Sequence, residues 1–427
     1  MNSAWKLSAA VMLTSRILTG HRAHMKTILL VDDDPRMGER LRTLLKPLES
    51  QWNMVSAGSG KDALATLAAQ PCDVIMTDMR MPGKDGMQLL EEVRKGYPHI
   101  VRVLLTEPAD QDGILRSVGS AHQCLPKAST LEVFETTVTR ACSIQQLLTN
   151  ELLLKLVSGM HSLPSLPTLY REVMEELQSP VASIDKIGQI ISKDLGMLTK
   201  MLQVVNSPFY GLPRRISSAT QAVALLGLDT IKSLVLSMKV FAQFESSTQT
   251  FFSLDVLWNH GMTTGRYART IAKEQHADTR IIEDGFTAGL LHDVGLLVFA
   301  TNVPDQYTET LAVMQNEGLA EWDAERKVLG ATHAEVGGYL LGIWGLSDAV
   351  VEAVAFHHDP ERSNGHTFSP LTAVHIANVL EEQEQSAGMG GAPVLPDAAY
   401  LTTCGLTHDM SKWDTLCRGA SSRAGAR

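Results

Sequence analysis

Four short apolar runs in this 427-residue chain end in residues suited to phosphoryl chemistry. Ile28-Leu29-Leu30-Val31 leads into Asp32-Asp33-Asp34-Pro35, and Val74-Ile75-Met76-Thr77 leads into Asp78. Residues 101–105 end at Thr106, and Gln123-Cys124-Leu125-Pro126 ends at Lys127. If these runs are parallel strands, their C-terminal ends converge on one crevice, the place where open α/β sheets bind ligands. A carboxylate is a poor nucleophile toward phosphorus until the phosphoryl charge is neutralised. Mg²⁺ does this with oxygen ligands, taking only one or two protein carboxylates. Asp32 and Asp33 suit that role, and Asp78 suits both ligation and attack. Lys127 can pair with one phosphoryl oxygen and the Thr106 hydroxyl can donate to another. Helix capping accounts for Asp34-Pro35. It does not account for Asp-Asp, Asp, Thr and Lys at four successive strand ends.

A second set of chemically capable residues lies further along: His260, the pair His292-Asp293, His333 and the pair His357-His358, all in segments with helical periodicity. Two imidazoles and a carboxylate can bind a divalent metal, and such a metal activates water for phosphoester hydrolysis. Adjacent ligands such as His292 and Asp293 do not share one helix face, but near a helix end both can reach one ion.

The elements that must position these groups change character along the chain. From residue 27 to about 148, strand-like runs alternate with helical faces such as Met37, Leu41, Leu44, Leu45 and Leu48. Strands at 52–57 and helices at 61–69, from Met87 to near Gly96, and over 130–148 complete the pattern. Alternation of this kind predicts βαβ units and a doubly wound parallel sheet with right-handed crossovers. After residue 148 nearly everything to 380 reads as helix. Turns are expected at 162–167, 206–208 and 211–213, and helical spacing at 219–244. The domain reading is an extension at 1–25, an α/β domain at 26–148 and an all-α domain at 152–380. Residues 381–427 are expected to hold a flexible connection, a small helical appendix over 400–416 and a disordered tail from Gly419.

Composition narrows the function classes. Net charge is −10, and no basic block suggests non-specific nucleic-acid binding through a charged face. The five cysteines are dispersed without metal spacing, which fits reduced thiols in a cytoplasmic protein. No apolar run reaches the ~18 residues of a membrane span. Arg16 interrupts the apolar stretch 7–18, and no small-residue cleavage site follows it. The first 24 residues are therefore read as a disordered or weakly helical extension before a natural start at Met25, not as a secretory signal.

Leu-Leu-Val-Asp-Asp-Asp-Pro, then Thr-Asp-Met-Arg-Met-Pro-Gly-Lys-Asp-Gly, then Thr106 and Lys127 resemble the receiver domain of two-component response regulators. The resemblance covers roughly residues 26–148 and implies a five-stranded sheet in the order 2-1-3-4-5. It implies that Asp32 and Asp33 are the acidic pair and Asp78 the phosphoacceptor. The backbone carbonyl of Arg80 would complete a Mg²⁺ shell. Thr106 would be the switch hydroxyl and Lys127 the phosphoryl-pairing lysine. A sensor histidine kinase is the implied phosphodonor. Three positions depart from the family pattern: Glu107 replaces a small residue, Cys124 the switch aromatic, and Ala128 a proline. Glu107 is expected to slow phosphoryl entry.

Leu163-Pro164-Ser165-Leu166-Pro167, Val205-Asn206-Ser207-Pro208-Phe209, Leu257-Trp258-Asn259-His260, Gly289-Leu290-Leu291-His292-Asp293-Val294-Gly295 and His333-Ala334-Glu335-Val336-Gly337 resemble the HD-related output domain, HDOD. That resemblance covers roughly 152–380. It implies an all-helical signalling module related to HD phosphohydrolases, mostly without demonstrated catalysis. The last metal-ligating aspartate of HD hydrolases would fall near position 378, where this chain has Asn378, a neutral and weaker ligand. The expectation is a phosphorylation-controlled, non-catalytic output module. It would act on a protein partner or a second subunit, with no direct DNA contact. The histidines would then be a vestigial hydrogen-bonded network. Two readings stand beside it: divalent-metal binding without turnover, and a metal-dependent phosphohydrolase acting on a cyclic dinucleotide.

Overall fold

The computed structural model describes residues 25–107, 120–144, 147–160, 167–179, 182–206, 212, 215–228, 230–231, 253–363, 365, 367–386, 394–406 and 410–424. The chain divides into two compact units. One comprises Met1–Phe244 with Leu340–Leu346, the other Glu245–Tyr339 with Ser347–Arg427.

In the first unit β1 (Lys26–Val31), β2 (Trp52–Ala57), β3 (Val74–Asp78), β4 (Val101–Thr106) and β5 (Gln123–Pro126) form one parallel sheet in the order β2-β1-β3-β4-β5. β3 and β4 are buried along their whole length, so they are mostly apolar and do not alternate with exposed polar positions. Successive residues of a strand point to opposite faces. Leu29, Ile75 and Leu104 therefore join one apolar layer with Ala63 and Leu67 of α2 (Gly60–Ala69) and Leu89 and Leu90 of α3 (Gly86–Gly96). Ile28, Met76 and Val103 join the other layer, with Leu41 and Leu45 of α1 (Pro35–Leu45) and Phe134 and Val138 of α4 (Leu131–Ile144). Helices thus cover both faces, the doubly wound arrangement.

Local sequence fixes where these helices begin. Asp34 accepts from the Arg36 N–H and Pro35 takes the first position of α1. Asp85 and Gln88 form a reciprocal capping box at α3. Gly86 closes the loop after β3, where a Cβ would lie 2.0 Å from the Asp78 carbonyl oxygen. α4 is described to Ile144, and residues 145–146, within the predicted helix, lie outside the described residues. The unit continues with α5 (Glu151–Gly159), α6 (Pro167–Gln178), α7 (Ile184–Ile191), α8 (Leu195–Val205) and α9 (Ala219–Leu226). The helical spacing over 219–244 does not make one helix. α9 stops at Gly227, whose φ of 77° lies in the left-handed region that glycine alone tolerates well. The expectations for residues 1–24, 162–166, 207–208 and the Gly211 and Pro213 turn lie outside the described residues.

The second unit begins with α10 (Leu254–Glu274), α11 (Thr279–Leu291), α12 (Val294–Asn302), α13 (Pro304–Glu317) and α14 (Glu321–Val328). α15 (His333–Ile343), α16 (Asp348–Phe356), α17 (Pro370–Ser386), α18 (Ala398–Thr403) and α19 (Met410–Ala424) follow, with residues 340–346 grouping with the first unit. Small residues let backbones meet. A Cβ on Gly289 of α11 would lie 2.7 Å from the Gly265 Cα of α10. α19 runs to Ala424, through the start of the predicted tail, because Trp413 and Cys417 are fully buried one turn apart. Among the described residues no single helix is long and apolar enough to cross a membrane.

Candidate functional site

The strand ends of the first unit do converge. Lys127 Nζ lies 2.7 Å from Asp78 Oδ2 and 3.2 Å from Asp32 Oδ2. Ligand atoms of Asp32, Asp33 and Asp78 all fall within 4.8 Å of one another. The backbone holds these groups in place: the Lys127 N–H donates to the Thr106 carbonyl and the Asp34 N–H to Asp32 Oδ1. Burial pushes the Asp32 carboxyl up despite the Asp34 N–H and Lys127 beside it. Burial also draws the Lys127 ammonium down, but Asp78 and Asp32 outweigh it and hold the amine above its usual value. One lysine therefore faces a site with more carboxylates than it can pair. Thr106 Oγ1 is buried without a hydrogen-bond partner, and Asp32 Oδ2 lacks one with good geometry. A small oxygen-seeking dication between Asp32, Asp33 and Asp78 would satisfy the excess charge, and a phosphoryl oxygen would satisfy the hydroxyl. The residues fit Mg²⁺. Arg80 follows two residues after Asp78 in the loop, and Glu107 is exposed directly after Thr106.

The histidines of the second unit also come together, although sequence periodicity put them all within helices. His260, His333 and Asn378 are on α10, α15 and α17. His292 and His357 instead cap the C-termini of α11 and α16, and Asp293 begins α12. That placement lets the neighbours His292 and Asp293 reach one point. Asp293 Oδ1 lies 3.2 Å from His292 Nε2, 3.3 Å from His333 Nε2 and 3.6 Å from His357 Nε2. Its Oδ2 lies 3.3 Å from His260 Nε2. His358 Nε2 is 3.1 Å from His333 Nε2, and Asn378 Oδ1 is 3.1 Å from His292 Nε2. Two candidate ligand groups share Asp293: one with His260 and His292, the other with His333, His357 and His358.

Proton placement tests whether this set is a finished hydrogen-bond network. His292 and His357 each direct Nδ1 at a main-chain carbonyl, of Gly289 and Val354, so Nδ1 carries the proton. Burial pulls the His292 imidazole down to about 4 and holds His357 and His358 well below their usual range. His292 and His357 are then neutral: the His292 Nε2 lone pair lies 3.0 Å from His260 Nε2, which can donate to it, and the His357 Nε2 lone pair faces the Asp293 carboxylate. Burial disfavours the charged forms of His260 and His333 too. Carboxylate partners outweigh it, raising His260 to about 10 and His333 well above its usual value. Burial opposes the charged Asp293 as well, yet the surrounding imidazoles hold its carboxyl well below the usual range. His357 Nε2 is buried with no hydrogen-bond partner. Lone pairs facing a carboxylate repel unless a cation lies between them. The residues fit a divalent metal, and the imidazole-rich set suits zinc, iron or nickel better than magnesium. His375 is the contrast: Nδ1 donates to the His357 carbonyl and Nε2 accepts from the Asp397 N–H, leaving no free lone pair.

Four residues at this site carried no motif signal. Glu325 and Glu381 sit behind His333 and His260, Glu382 accepts from Asn378 Nδ2 at 2.7 Å, and Trp322 stacks on His358 with ring centroids 4.2 Å apart. Glu381 and Glu382 lie one turn after Asn378 on α17, a spacing that could have flagged those two; Glu325 and Trp322 carry no such relation to a ligand.

Comparison with known proteins matches each half separately. The family model for the response regulator receiver domain matches residues 28–139, and that for the HDOD domain matches residues 163–360. An uncharacterized protein of Treponema pallidum (strain Nichols) is 26% identical over 231 residues, covering 54% of this chain and 44% of its own. The transcriptional regulatory protein GlrR of Escherichia coli (strain K12) is 31% identical over 143 residues, covering 28% and 32%. The chain spans less than half the length of these curated relatives. Among solved structures, the MmoQ response regulator of Methylococcus capsulatus is 24% identical with a TM-score of 0.47, covering 59% of this chain and 97% of that one. An HDOD domain protein of Geobacter sulfurreducens is 22% identical with a TM-score of 0.37, covering 69% and 96%.

Proposed function

Because the chain carries a receiver domain followed by an HDOD domain, the make-up of a response regulator in signal transduction, we propose that Asp78 accepts a phosphoryl group and thereby controls the HDOD module. The donor is a sensor histidine kinase. An Asp78 carboxylate oxygen forms the new bond to phosphorus as the bond to the donor nitrogen breaks. The reading rests chiefly on the convergence of Lys127 on Asp78 and Asp32, at 2.7 and 3.2 Å. Bound Mg²⁺, held by Asp32, Asp33, Asp78 and the Arg80 carbonyl, would neutralise phosphoryl charge. Lys127 then moves its ion pair from Asp78 to a phosphoryl oxygen, and the Thr106 hydroxyl donates to another. The output passes through HDOD contacts with a protein partner or a second subunit in the cytoplasm. Acetyl phosphate with Mg²⁺ should add one phosphoryl group by intact mass, and Asp78→Asn should abolish it. Equal labelling of that variant would overturn the assignment.

A second reading is favoured by the buried, unpartnered His357 Nε2 and by the ligand atoms of Asp293, His333, His357 and His358 lying within 4.8 Å of one another. The cluster around Asp293 holds a divalent metal and serves as a phosphohydrolase site for a cyclic dinucleotide. Metal-dependent cleavage by the purified protein, lost in His292→Ala with folding retained, would support it. Retained metal with no turnover would leave a metal-stabilised signalling module.

A further inference from the structure

The cluster imidazoles do not all have the same support behind them. His292 and His357 lean on neutral carbonyls, whereas His333 and His260 lean on buried carboxylates. Glu325 of α14 is fully buried. It accepts from the His333 backbone N–H at 2.8 Å and from Nδ1 at 2.9 and 2.8 Å through its two oxygens. Glu381 of α17, 5% exposed, accepts from His260 Nδ1 at 2.6 Å and is itself held by Gln385 Nε2 at 2.5 Å. Each half of the ligand set therefore has one carboxylate-backed imidazole: His260 beside His292, and His333 beside His357 and His358.

Charge explains why this matters. The two halves share a single inner carboxylate, Asp293, and position 378 contributes only a neutral amide. Two dications beside one carboxylate would leave a large uncompensated charge in a buried site, which is costly. A carboxylate on the far ring nitrogen fixes the tautomer, aims Nε2 and raises its basicity as a ligand. We infer that Glu325 and Glu381 are positioning residues for two metal ions flanking Asp293, supplying through His333 and His260 the negative charge that Asn378 does not. This rests on the metal reading of the cluster.

Cobalt(II) titration of the full chain tests it, with calorimetry for stoichiometry and affinity and the d–d absorption band for geometry. The unmodified protein should bind two equivalents. Glu325→Gln keeps an acceptor for Nδ1 but removes the charge. It should weaken one equivalent by about 10–100-fold, and Glu381→Gln should weaken the other. Each should alter the absorption band and weaken only its own equivalent, a site-selective effect that a general loss of stability from the broken buried ion pair would not give. If Glu325→Gln fails to fold, Glu381→Gln carries the test alone. No Co²⁺ uptake by the unmodified protein would overturn the metal reading and this inference with it. Uptake that is unchanged in the variants, or a single equivalent, would overturn this inference only.

Discussion

Replacing Gly295 with alanine should destabilise the second unit and open the Asp293 cluster, although alanine is the better helix former. Gly295 is the second residue of α12. A Cβ there would lie 2.0 Å from the His333 carbonyl oxygen, 2.6 Å from its carbonyl carbon and 2.7 Å from its Cα. Every atom it meets is backbone, so no side chain can swing aside. Relief requires α12 and the start of α15 to separate by more than about 1 Å, since ordinary carbon contacts need roughly 3.5 Å or more. Asp293 and His333 lie at those two helix starts and are 3.3 Å apart across the gap. Helix propensity alone favours alanine over glycine by about 1 kcal/mol. Overpacking in a close-packed interior costs about 1–3 kcal/mol, and a backbone–backbone clash belongs at the upper end. The net expectation is a loss of about 1–2 kcal/mol. That corresponds to a fall of roughly 2–8 °C in the unfolding transition of this unit, together with lower bound metal. Gly38 of α1 is the control, because a Cβ there meets nothing within 4 Å. Gly38→Ala should stabilise by about 0.5–1 kcal/mol. Thermal melts followed by circular dichroism, with metal content measured on the same samples, decide the matter. If Gly295→Ala matched Gly38→Ala in stability and kept its metal, the close approach of α12 and α15 would not be what holds the site.

Glu107→Gly should accelerate acetyl-phosphate labelling of Asp78, since an exposed carboxylate beside Thr106 repels an anionic donor, and the gain should shrink with added salt; an unchanged rate would mean the side chain turns away. Lys200 of α8 is fully buried near Trp344, Cys124 and His122, and burial pulls its amine down to about 7. Between pH 7 and its unfolded value near 10.5 the unfolded chain binds the extra proton, so stability rises with pH there, and below pH 7 the full burial penalty applies. Lys200→Met should therefore stabilise more at pH 6 than at pH 9, by about 3 kcal/mol, from about 1.4 kcal/mol per pH unit between pH 7 and 9; equal gains in chemical denaturation at both pH values would refute it. Asn378→Asp should raise metal content by adding a carboxylate beside His292, and unchanged content would show that position 378 does not face the ions.

Sequence alone determined the receiver crevice. Its strands are short apolar runs, its helices carry local caps such as Asp34 and Asp85, and its reactive residues sit at strand ends. Parallel topology brings those ends together whatever the details of packing. The HD-like histidines were legible as a set but not as a geometry. Whether neighbours such as His292 and Asp293 reach one point depends on where α11 stops and α12 starts. The end of α9 is local instead: it stops at Gly227, a breaker visible in the sequence, although apolar spacing ran on to 244. Glu325 and Glu381 lie 8 and 121 residues from the imidazoles they support. No local period links such residues. Only the packing of α14 against the start of α15, and of α17 against α10, brings the carboxylates to the ring nitrogens. Position 378 shows the limit most directly. The sequence places a neutral amide there, and only the folded chain reveals Glu325 and Glu381 behind His333 and His260, because contacts in a buried site are made through space and not along the chain.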